Sequence, residues 1–340
     1  MNNKVDIVHV MRNSNIKPIL VGDGLYRAYC PFCNDDIPTL FISKDKQEYR
    51  CFSCQRNGNI TNFLMEISDT DFFGVVKMMT GKDIDSTKAR KELAKFYEMN
   101  IDAAEYYRKT LFSAEGKKGL DYWKIKRGLN DETITRFGLG YASPSGLCSH
   151  LKQKYSVNDI VDNGLARKKE KNYYDFFYNR VMIPIVDINK NVIGFGGRVL
   201  DDSLPKYINT SGTDIFDKRL NLYALNLAQY SNREGLILCE GYLDVISMYQ
   251  NGIDNAVASL GTALTEEQVY LISRFTNTVT IAYDSDEAGI KATNDAKQLL
   301  KKQGIRVKRL NLLKAKDPDE FIKSYGIETL NNSINNADDI

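Results

Sequence analysis

Four cysteines near the start of the chain constrain its folding more than any other feature. Cys30, Cys33, Cys51 and Cys54 follow the pattern C-x2-C-x17-C-x2-C. Two such pairs, each on a tight turn, bring four thiolates to the tetrahedron that zinc prefers. The segments TLFIS and EYRCF between the pairs have the composition of strands. The spacing predicts a zinc ribbon with one structural Zn²⁺, and the alternative is four reduced cysteines that pair by chance.

The composition is that of an ordinary globular protein. The chain has 340 residues, a net charge of +2 and 43% hydrophobic residues, which is enough for two or three domains. It has no apolar run of the roughly 20 residues that a membrane span needs, and its start does not resemble a signal peptide. We therefore predict a cytoplasmic protein with no membrane partner.

The chain divides into four regions of different pattern. Residues 1–66 are rich in turns and carry the four cysteines, which predicts a zinc-ribbon domain. Residues 67–111 have helical periodicity and predict a helical tether. Residues 112–232 mix helices with aromatic strands such as NYYDFFYNRVMIPIVD. In residues 233–340, strand-like runs alternate with helical ones, which predicts a parallel sheet and, overall, a mixed α/β fold class.

Acidic residues follow the ends of three predicted parallel strands. Glu240 follows GLILC, Asp284 and Asp286 follow TVTIAY, and Asp317 and Asp319 follow RVKRLNLL after a short loop. Ligands of open parallel sheets bind at the carboxyl ends of the strands. Gathered carboxylates repel one another unless cations lie among them, and their hard oxygens suit Mg²⁺ or Mn²⁺.

Two or more such ions support phosphoryl transfer without a histidine base, which fits a chain with only two histidines. Each acid also has a simpler interpretation. An aspartate after a strand is more often the N-cap of the next helix, and Asp244, inside a predicted helix, is more often solvated.

The ribbon region also interleaves aromatic and basic residues. This pattern suits single-stranded nucleic acid, by stacking and phosphate contact, and it suits equally the packing of a small core. The residues are Tyr26, Arg27, Tyr29, Phe32, Tyr49, Arg50, Phe52 and Arg56.

In combination, these motifs resemble those of DnaG-type bacterial DNA primases. EGYLDV from Glu240, Asp284-x-Asp286 and DPDE from Asp317 are similar to the Toprim domain of that family. Upstream, NRVMIPI, GFGGR and KYINTSGTDIF are similar to the N-terminal part of its RNA-polymerase domain. The resemblance covers roughly residues 20–66 and 112–330. It makes 112–232 the N-terminal subdomain of the polymerase domain and 233–340 its Toprim catalytic subdomain with a short tail.

The resemblance also implies roles for individual residues. The catalytic acids, which would bind two or more Mg²⁺ or Mn²⁺ ions, are Glu240, Asp284, Asp286, Asp317 and Asp319. The residues that would contact nucleotide or DNA are Arg180, Arg198, Lys206, Asn209, Lys218 and, in a supporting role, Asp244. Strand-edge packing remains an alternative for Arg180 and Arg198.

The function implied is DNA priming. Such an enzyme makes short RNA primers from ribonucleoside triphosphates on single-stranded DNA during replication, by two-metal nucleotidyl transfer. Its partners would be the template, the RNA–DNA primer duplex and a replicative helicase supplied in trans. The alternatives are a DNA-cleaving Toprim enzyme, such as a nuclease or type IA topoisomerase, and a non-enzymatic single-strand binding module. FGGR and KYINT favour polymerisation.

Two departures from the family pattern bear on whether the chain is a cellular or a phage-type primase. DnaG-type ribbons commonly carry a histidine among the zinc ligands, whereas all four candidates here are cysteines. The chain also ends soon after DPDEFIKSYG, without the helical bundle and helicase-binding domain of the family. These features predict a compact phage or mobile-element primase, or else a truncated chain.

Overall fold

The computed structural model describes residues 6–33, 36–54, 56–69, 86–261 and 263–340, with the backbone alone for 86–90. The chain forms two compact units, Met1–Lys91 and Glu92–Ile340, and each is described by itself. The boundaries predicted at residues 66, 111 and 232 stay predictions. Within the described residues, every helix is too short or too polar to cross a membrane.

The first unit is built on an antiparallel five-stranded sheet. Its strands lie in sequence order and are β1 (Ile19–Gly22), β2 (Leu25–Ala28), β3 (Leu40–Ser43), β4 (Glu48–Cys51) and β5 (Asn57–Asn59). Helices α1 (Ile7–Asn13) and α2 (Ile60–Ile67) flank it. Inward side chains of β3 and β4 pack on Phe63 of α2, because alternate residues of a strand point to one face. The strands predicted in TLFIS and EYRCF are confirmed.

The second unit begins with a helix that is part of its core. The helices of this part are α3 (Ser86–Leu111), α4 (Lys117–Asp121), continued by a π-helical turn (Tyr122–Lys126), α5 (Asp131–Arg136), α6 (Leu147–Leu151) and α7 (Val157–Asp162). In α3, Phe96, Met99, Ala103 and Tyr107 recur every three or four residues and are buried. The helix predicted as a tether over 67–111 therefore packs as a core element from Phe96 onward. Residues 70–85 of that prediction lie outside the described residues.

A four-stranded antiparallel sheet follows, in the order β11–β10–β9–β6. Its strands are β6 (Gly140–Ala142), β9 (Arg180–Val186), β10 (Val192–Val199) and β11 (Tyr207–Asn209), and β7 (Ala166–Lys169) and β8 (Asn172–Asp175) form a separate hairpin. The aromatic run NYYDFFYNRVMIPIVD is thus two strands, β8 and β9. Asn179, between them, has a left-handed φ of 51°, which no regular strand accommodates.

The last part of the unit is the predicted parallel sheet. Strands β12 (Leu236–Cys239), β13 (Ala256–Ala258), β14 (Thr278–Ala282) and β15 (Arg306–Arg309) are parallel in the order β13–β12–β14–β15, and β16 (Asp338–Asp339) adds an antiparallel edge. The helices are α8 (Leu225–Ala228), α9 (Tyr242–Gln250), α10 (Glu266–Ser273), α11 (Glu287–Lys302) and α12 (Pro318–Asn335), the last interrupted at Gly326. Strands β12, β13 and β14 are buried along their whole length, as expected of a sheet covered on both faces.

Candidate functional site

The four cysteines of the first unit form a zinc site. The Sγ atoms of Cys30 and Cys54 lie 3.8 Å apart, and those of Cys33 and Cys51 lie 3.7 Å apart. A tetrahedron with Zn–S bonds of about 2.3 Å has S–S edges of about 3.8 Å. Across the described residues, these four form the one group of candidate ligands whose atoms all lie within 4.8 Å of one another.

Hydrogen bonds to the sulfur atoms favour the thiolate form that zinc binds. The backbone amide of Phe32 donates to the Sγ of Cys30, and that of Cys54 donates to the Sγ of Cys51, both at 3.4 Å. Burial opposes ionisation of Cys51, but hydrogen bonds from the Thr39 hydroxyl and from backbone amides outweigh it and lower its pKa to about 6. Burial instead raises the pKa of Cys30 and that of Cys33, so the support for a metal site comes from the geometry of the four sulfur atoms.

In the second unit, the carboxyl ends of β12 and β14 bring two of the predicted acids into contact. Glu240 directly follows β12, and its Oε1 accepts a 3.1 Å hydrogen bond from the backbone amide of Asp284, just beyond β14. Asp286 is the N-cap of α11 and accepts from Gly289, and Asp317 is the N-cap of α12 and accepts from Glu320. The N-cap interpretation is thus confirmed for both, and each cap uses one carboxylate oxygen.

A cleft of about 400 Å³ opens at this edge of the parallel sheet. Five acids line it: Glu240, Asp244, Asp284, Asp317 and Asp319. The residues in and around β10 and β11, together with the turn before α5, add Arg127, Arg198, Lys206, Tyr207 and Asn209. The cleft therefore combines carboxylates with cations, a composition suited to a triphosphate and its counterions.

Crowding of the acids shows in their pKa values. Burial, and then the neighbouring Asp284, raises the pKa of Glu240, while burial and Asp317 raise that of Asp284. Asp244 is almost fully buried, and its pKa is raised well above the usual range by burial and by the charges of Asp317 and Asp284. Such a cluster favours bound positive charge. Hard carboxylate oxygens fit a divalent cation, although no three acids among the described residues bring their oxygens within 4.8 Å of one another.

Three cations that contact these acids were not predicted from the sequence, and one of them is Lys323, whose Nζ lies 2.7 Å from Asp319 Oδ2. Lys316 Nζ lies 3.5 Å from Asp284 Oδ2 and 3.6 Å from Asp286 Oδ2. Arg127 Nη1 lies 3.2 Å from Asp319 Oδ2. Lys316 directly precedes the DPDE motif, so the sequence alone could have indicated that it lies beside the acids. Arg127 reaches Asp319 across 192 positions of sequence, and nothing local indicates that contact.

The predicted basic residues take different places. Arg198 and Lys206 line the cleft, and the Arg198 guanidinium stacks over the rings of Tyr122 and Tyr207. Arg180 is buried and donates to the backbone carbonyls of Gly197, Pro205 and Lys206, so its guanidinium serves the β9–β10–β11 packing. Lys218 is exposed and is not among the described residues that line the cleft.

Replacing Gly289 by alanine tests how closely the start of α11 approaches Asp284 and Glu240. An added Cβ would lie 2.1 Å from the backbone oxygen of Asp284 and 2.9 Å from Oε1 of Glu240. We expect Gly289→Ala to lower the free energy of unfolding by about 1 to 3 kcal/mol, because both neighbours must move. Thermal unfolding measures the loss.

The matched control for this substitution is Gly212→Ala. The nearest atom to its added Cβ is the Phe216 oxygen at 3.8 Å, an ordinary contact. We expect a change within about 0.5 kcal/mol. Equal stability of the two variants would contradict the close approach of α11 to Asp284 and Glu240.

Three family models match consecutive parts of the chain. Residues 1–95 match a CHC2 zinc finger, 106–229 match the N-terminal domain of the DNA primase catalytic core, and 237–322 match a Toprim-like domain. The order is the one predicted from the motifs, and the matches extend the resemblance into residues 67–111.

Curated relatives and solved structures agree with these matches. The chain is 40% identical to the DNA primase of Clostridium acetobutylicum over 99% of its own length and 57% of the relative's. It is 37% identical to the DNA primase of Aquifex aeolicus, over 100% and 69% of the two lengths. It is 36% identical to that of Synechococcus elongatus, over 88% and 47%. The chain thus spans about half to two thirds of the length of these relatives.

Among solved structures, the crystal structure of the zinc-binding and RNA-polymerase domains of Aquifex aeolicus primase is similar, with a TM-score of 0.69 and 35% identity over 99% of this chain and 84% of that one. A DnaG primase catalytic domain bound to single-stranded DNA has a TM-score of 0.68 and 34% identity, over 74% of this chain and 83% of that one. These likenesses favour priming over the predicted alternative of DNA cleavage.

Proposed function

This chain belongs to the DnaG-type DNA primase family, and on that basis we propose that it synthesises short RNA primers on single-stranded DNA. It would join ribonucleoside triphosphates in template order and release pyrophosphate. The observation that supports this most strongly is the cleft that Glu240, after β12, and Asp284, after β14, line together with Arg198 and Lys206.

In this proposal, the basic and the acidic residues of the cleft have different roles. Arg198 and Lys206 would bind the phosphates of the incoming nucleotide, since guanidinium and ammonium groups pair with phosphate oxygens. Glu240, Asp284, Asp317 and Asp319 would hold divalent cations, which supply charge neutralisation and activation of the attacking hydroxyl. Asp286 caps α11 and is not among the described residues that line the cleft, and we propose it as a further ligand beside Asp284. Arg127 and Lys323, at 3.2 and 2.7 Å from Asp319, fix the orientation of that carboxylate.

The first unit offers a surface for single-stranded DNA. Tyr29 and Phe52 are 61% and 55% exposed, whereas Tyr49 is buried in the ribbon core. Arg50 lies over the Phe52 ring at 5.2 Å, so a ring and a cation are presented together. We propose that these exposed rings stack on template bases while the arginines contact phosphates. Under this proposal, the buried aromatic residues of the ribbon pack its core and the exposed ones bind DNA.

A second basic groove lies beside the β7–β8 hairpin and has a volume of about 880 Å³. Four cations and one carboxylate line it, together with exposed tyrosines: Lys152, Arg167, Lys168, Lys169, Asp175, Tyr174 and Tyr178. Asp175 is engaged by the backbone amides of Leu147 and Cys148, which anchors the hairpin to α6. We propose that the groove binds the single-stranded template, because its cations match phosphates and its exposed rings match bases.

Tyr174→Ala tests this groove. Tyr174 is 52% exposed and pairs across the hairpin with Arg167. Loss of one stacking ring costs about 1 to 3 kcal/mol per base, so the affinity for single-stranded DNA should fall by roughly fivefold or more. Fluorescence anisotropy with a labelled oligonucleotide measures the change.

The matched control is Tyr230→Ala, which removes a 65% exposed ring that lies under Lys190 and does not line the groove. We expect its affinity to equal that of the wild type. Lys168→Ala should reduce the salt slope of binding by about 1. Unchanged affinity in Tyr174→Ala, or an equal loss in Tyr230→Ala, would place the template elsewhere.

A labelling assay tests the proposed activity itself. The protein is incubated with single-stranded DNA, Mg²⁺ and four ribonucleotides, one carrying an α-phosphate label. We expect short labelled RNA that depends on template and metal. Nicked or relaxed DNA, with no labelled RNA, would instead support the cleaving alternative.

Several finer predictions are not supported by these comparisons. The choice between Mg²⁺ and Mn²⁺, the helicase partner, the cytoplasmic location and a phage or mobile-element origin stay predictions.

A further inference from the structure

Tyr242, the first residue of α9, lies beneath the proposed nucleotide cleft and is almost fully buried. Its hydroxyl donates a 2.9 Å hydrogen bond to Oδ1 of Asn209 on β11. Asn209 in turn donates from Nδ2 to the backbone carbonyl of Leu260 at 3.0 Å. Leu260 belongs to the turn Ser259–Gly261 that follows β13, and both ends of this turn line the cleft.

The Tyr242 ring also fixes the antiparallel sheet. An added Cβ on Gly196 would lie 2.9 Å from the ring, so the ring packs directly on the β10 backbone. Gly196 is paired with Asn209 across β10 and β11. The tyrosine therefore contacts β10, which carries Arg198, and β11, which follows Lys206, while its partner Asn209 holds the turn at the carboxyl end of the parallel sheet.

We propose that Tyr242 and Asn209 form a positioning pair that locks the Ser259–Gly261 turn to strands β10 and β11, beside Arg198 and Lys206. The cleft then presents one preformed surface to the phosphates of a nucleoside triphosphate. This inference rests on the proposed function, and it adds to the role predicted for Asn209. One bond at each end of its side-chain amide is made within the protein, so Asn209 holds the turn, while the second hydrogen of Nδ2 and the second lone pair of Oδ1 stay available to the cleft that it lines.

A preformed turn matters because ordering it on binding costs free energy that the nucleotide contacts must offset. One hydrogen bond of this kind contributes enough to change an equilibrium about threefold to tenfold. We expect Tyr242→Phe to raise the KM for ribonucleotides by about that factor and to change kcat less than twofold, since the hydroxyl donates to Asn209 and not to one of the acids.

Tyr223 supplies the control, because it is a second buried tyrosine of the same cluster. Its ring meets that of Tyr242 edge to face, with centroids 4.8 Å apart. Within the described part of the chain, its buried hydroxyl has no hydrogen-bond partner. Tyr223→Phe therefore removes an equivalent atom from the same core without breaking the link to Asn209.

Hydrogen–deuterium exchange over Ser259–Gly261 tests the pair without relying on activity. We expect faster exchange of this turn in Tyr242→Phe and in Asn209→Ala, by about threefold to tenfold, and wild-type exchange in Tyr223→Phe. The double variant should exchange no faster than Asn209→Ala, because both substitutions break one chain of contacts.

Two results would overturn the inference. One is wild-type exchange of the turn in Tyr242→Phe, and the other is equal acceleration in Tyr223→Phe, which would indicate general loosening of the core. If the wild-type protein made no RNA, the proposed function would fail, and the exchange comparison would still decide whether the pair holds the turn.

Discussion

Replacing Asp284 by asparagine should reduce primer synthesis by at least about a thousandfold while leaving the second unit folded. Asp284 lies at the carboxyl end of β14, beside Glu240 and in the charge field of Asp317. Asparagine keeps the shape but removes the negative charge that a divalent cation needs. The residual activity is measured in the labelled-nucleotide assay.

The melting temperature of the Asp284→Asn variant shows whether activity is lost through the missing charge or through unfolding. Burial and Asp317 raise the pKa of Asp284, so its carboxylate opposes folding at pH 7, and that opposition weakens as the pH falls. The substitution also removes the ion pair with Lys316, whose side chain is 58% exposed, so this loss changes the stability little. We therefore expect Asp284→Asn to melt at or above the wild-type temperature without added Mg²⁺.

Asp295→Asn is the control for the charge itself. Asp295 is an exposed residue of α11, the helix that follows the acidic pair. We expect the Asp295→Asn variant to keep full primer-synthesis activity. A fully active Asp284→Asn, or one that has lost activity only because it has unfolded, would contradict the catalytic role of the acidic edge.

Cys51→Ser should unfold the first unit and release its zinc. Metal binding contributes about 10 to 16 kcal/mol to the folding of zinc-finger peptides, which exceeds the stability that a core as small as that of the ribbon supplies. Cys51 is fully buried, and hydrogen bonds from Thr39 and Cys54 favour its thiolate, whereas a serine hydroxyl stays protonated at neutral pH and is a poor zinc ligand. We expect the zinc content to fall from one equivalent to none.

Hydrogen exchange localises this effect. The amides of β3 and β4 should lose protection, whereas those of β12 and β14 should keep it, since the second unit has its own buried clusters. Cys148→Ala is the control, because Cys148 is buried in the second unit and should leave one zinc bound. A Cys51→Ser variant with full zinc and a protected ribbon would show that the four cysteines are not the ligands.

The position of the acidic edge could be predicted because it follows from local pattern and one rule of topology. Strand-like runs that end in Glu240 and Asp284 alternate with helices, and the carboxyl ends of parallel strands share one edge. The four-cysteine spacing is equally local. In both cases, residues separated by tens of positions meet because regular elements place them.

The contacts of single side chains could not be predicted in this way. Arg180 opens β9 beside GFGGR and resembles a phosphate ligand, yet three backbone carbonyls bind its guanidinium. Those carbonyls come from β10 and from the segment before β11, and no periodicity specifies which face of β9 they approach. The amide of Asn209 and the ion pair of Arg127 with Asp319 depend likewise on tertiary packing.

The most direct test of the account is whether the protein starts RNA chains by itself. The wild-type protein is given single-stranded DNA, Mg²⁺ and ribonucleotides labelled on the γ-phosphate. A primase joins two nucleotides without an existing primer, so the first one keeps its triphosphate. We predict short RNA that carries the label at its 5′ end and that is missing with Asp284→Asn. A folded, zinc-loaded protein that yields no such RNA on any single-stranded template would contradict the account.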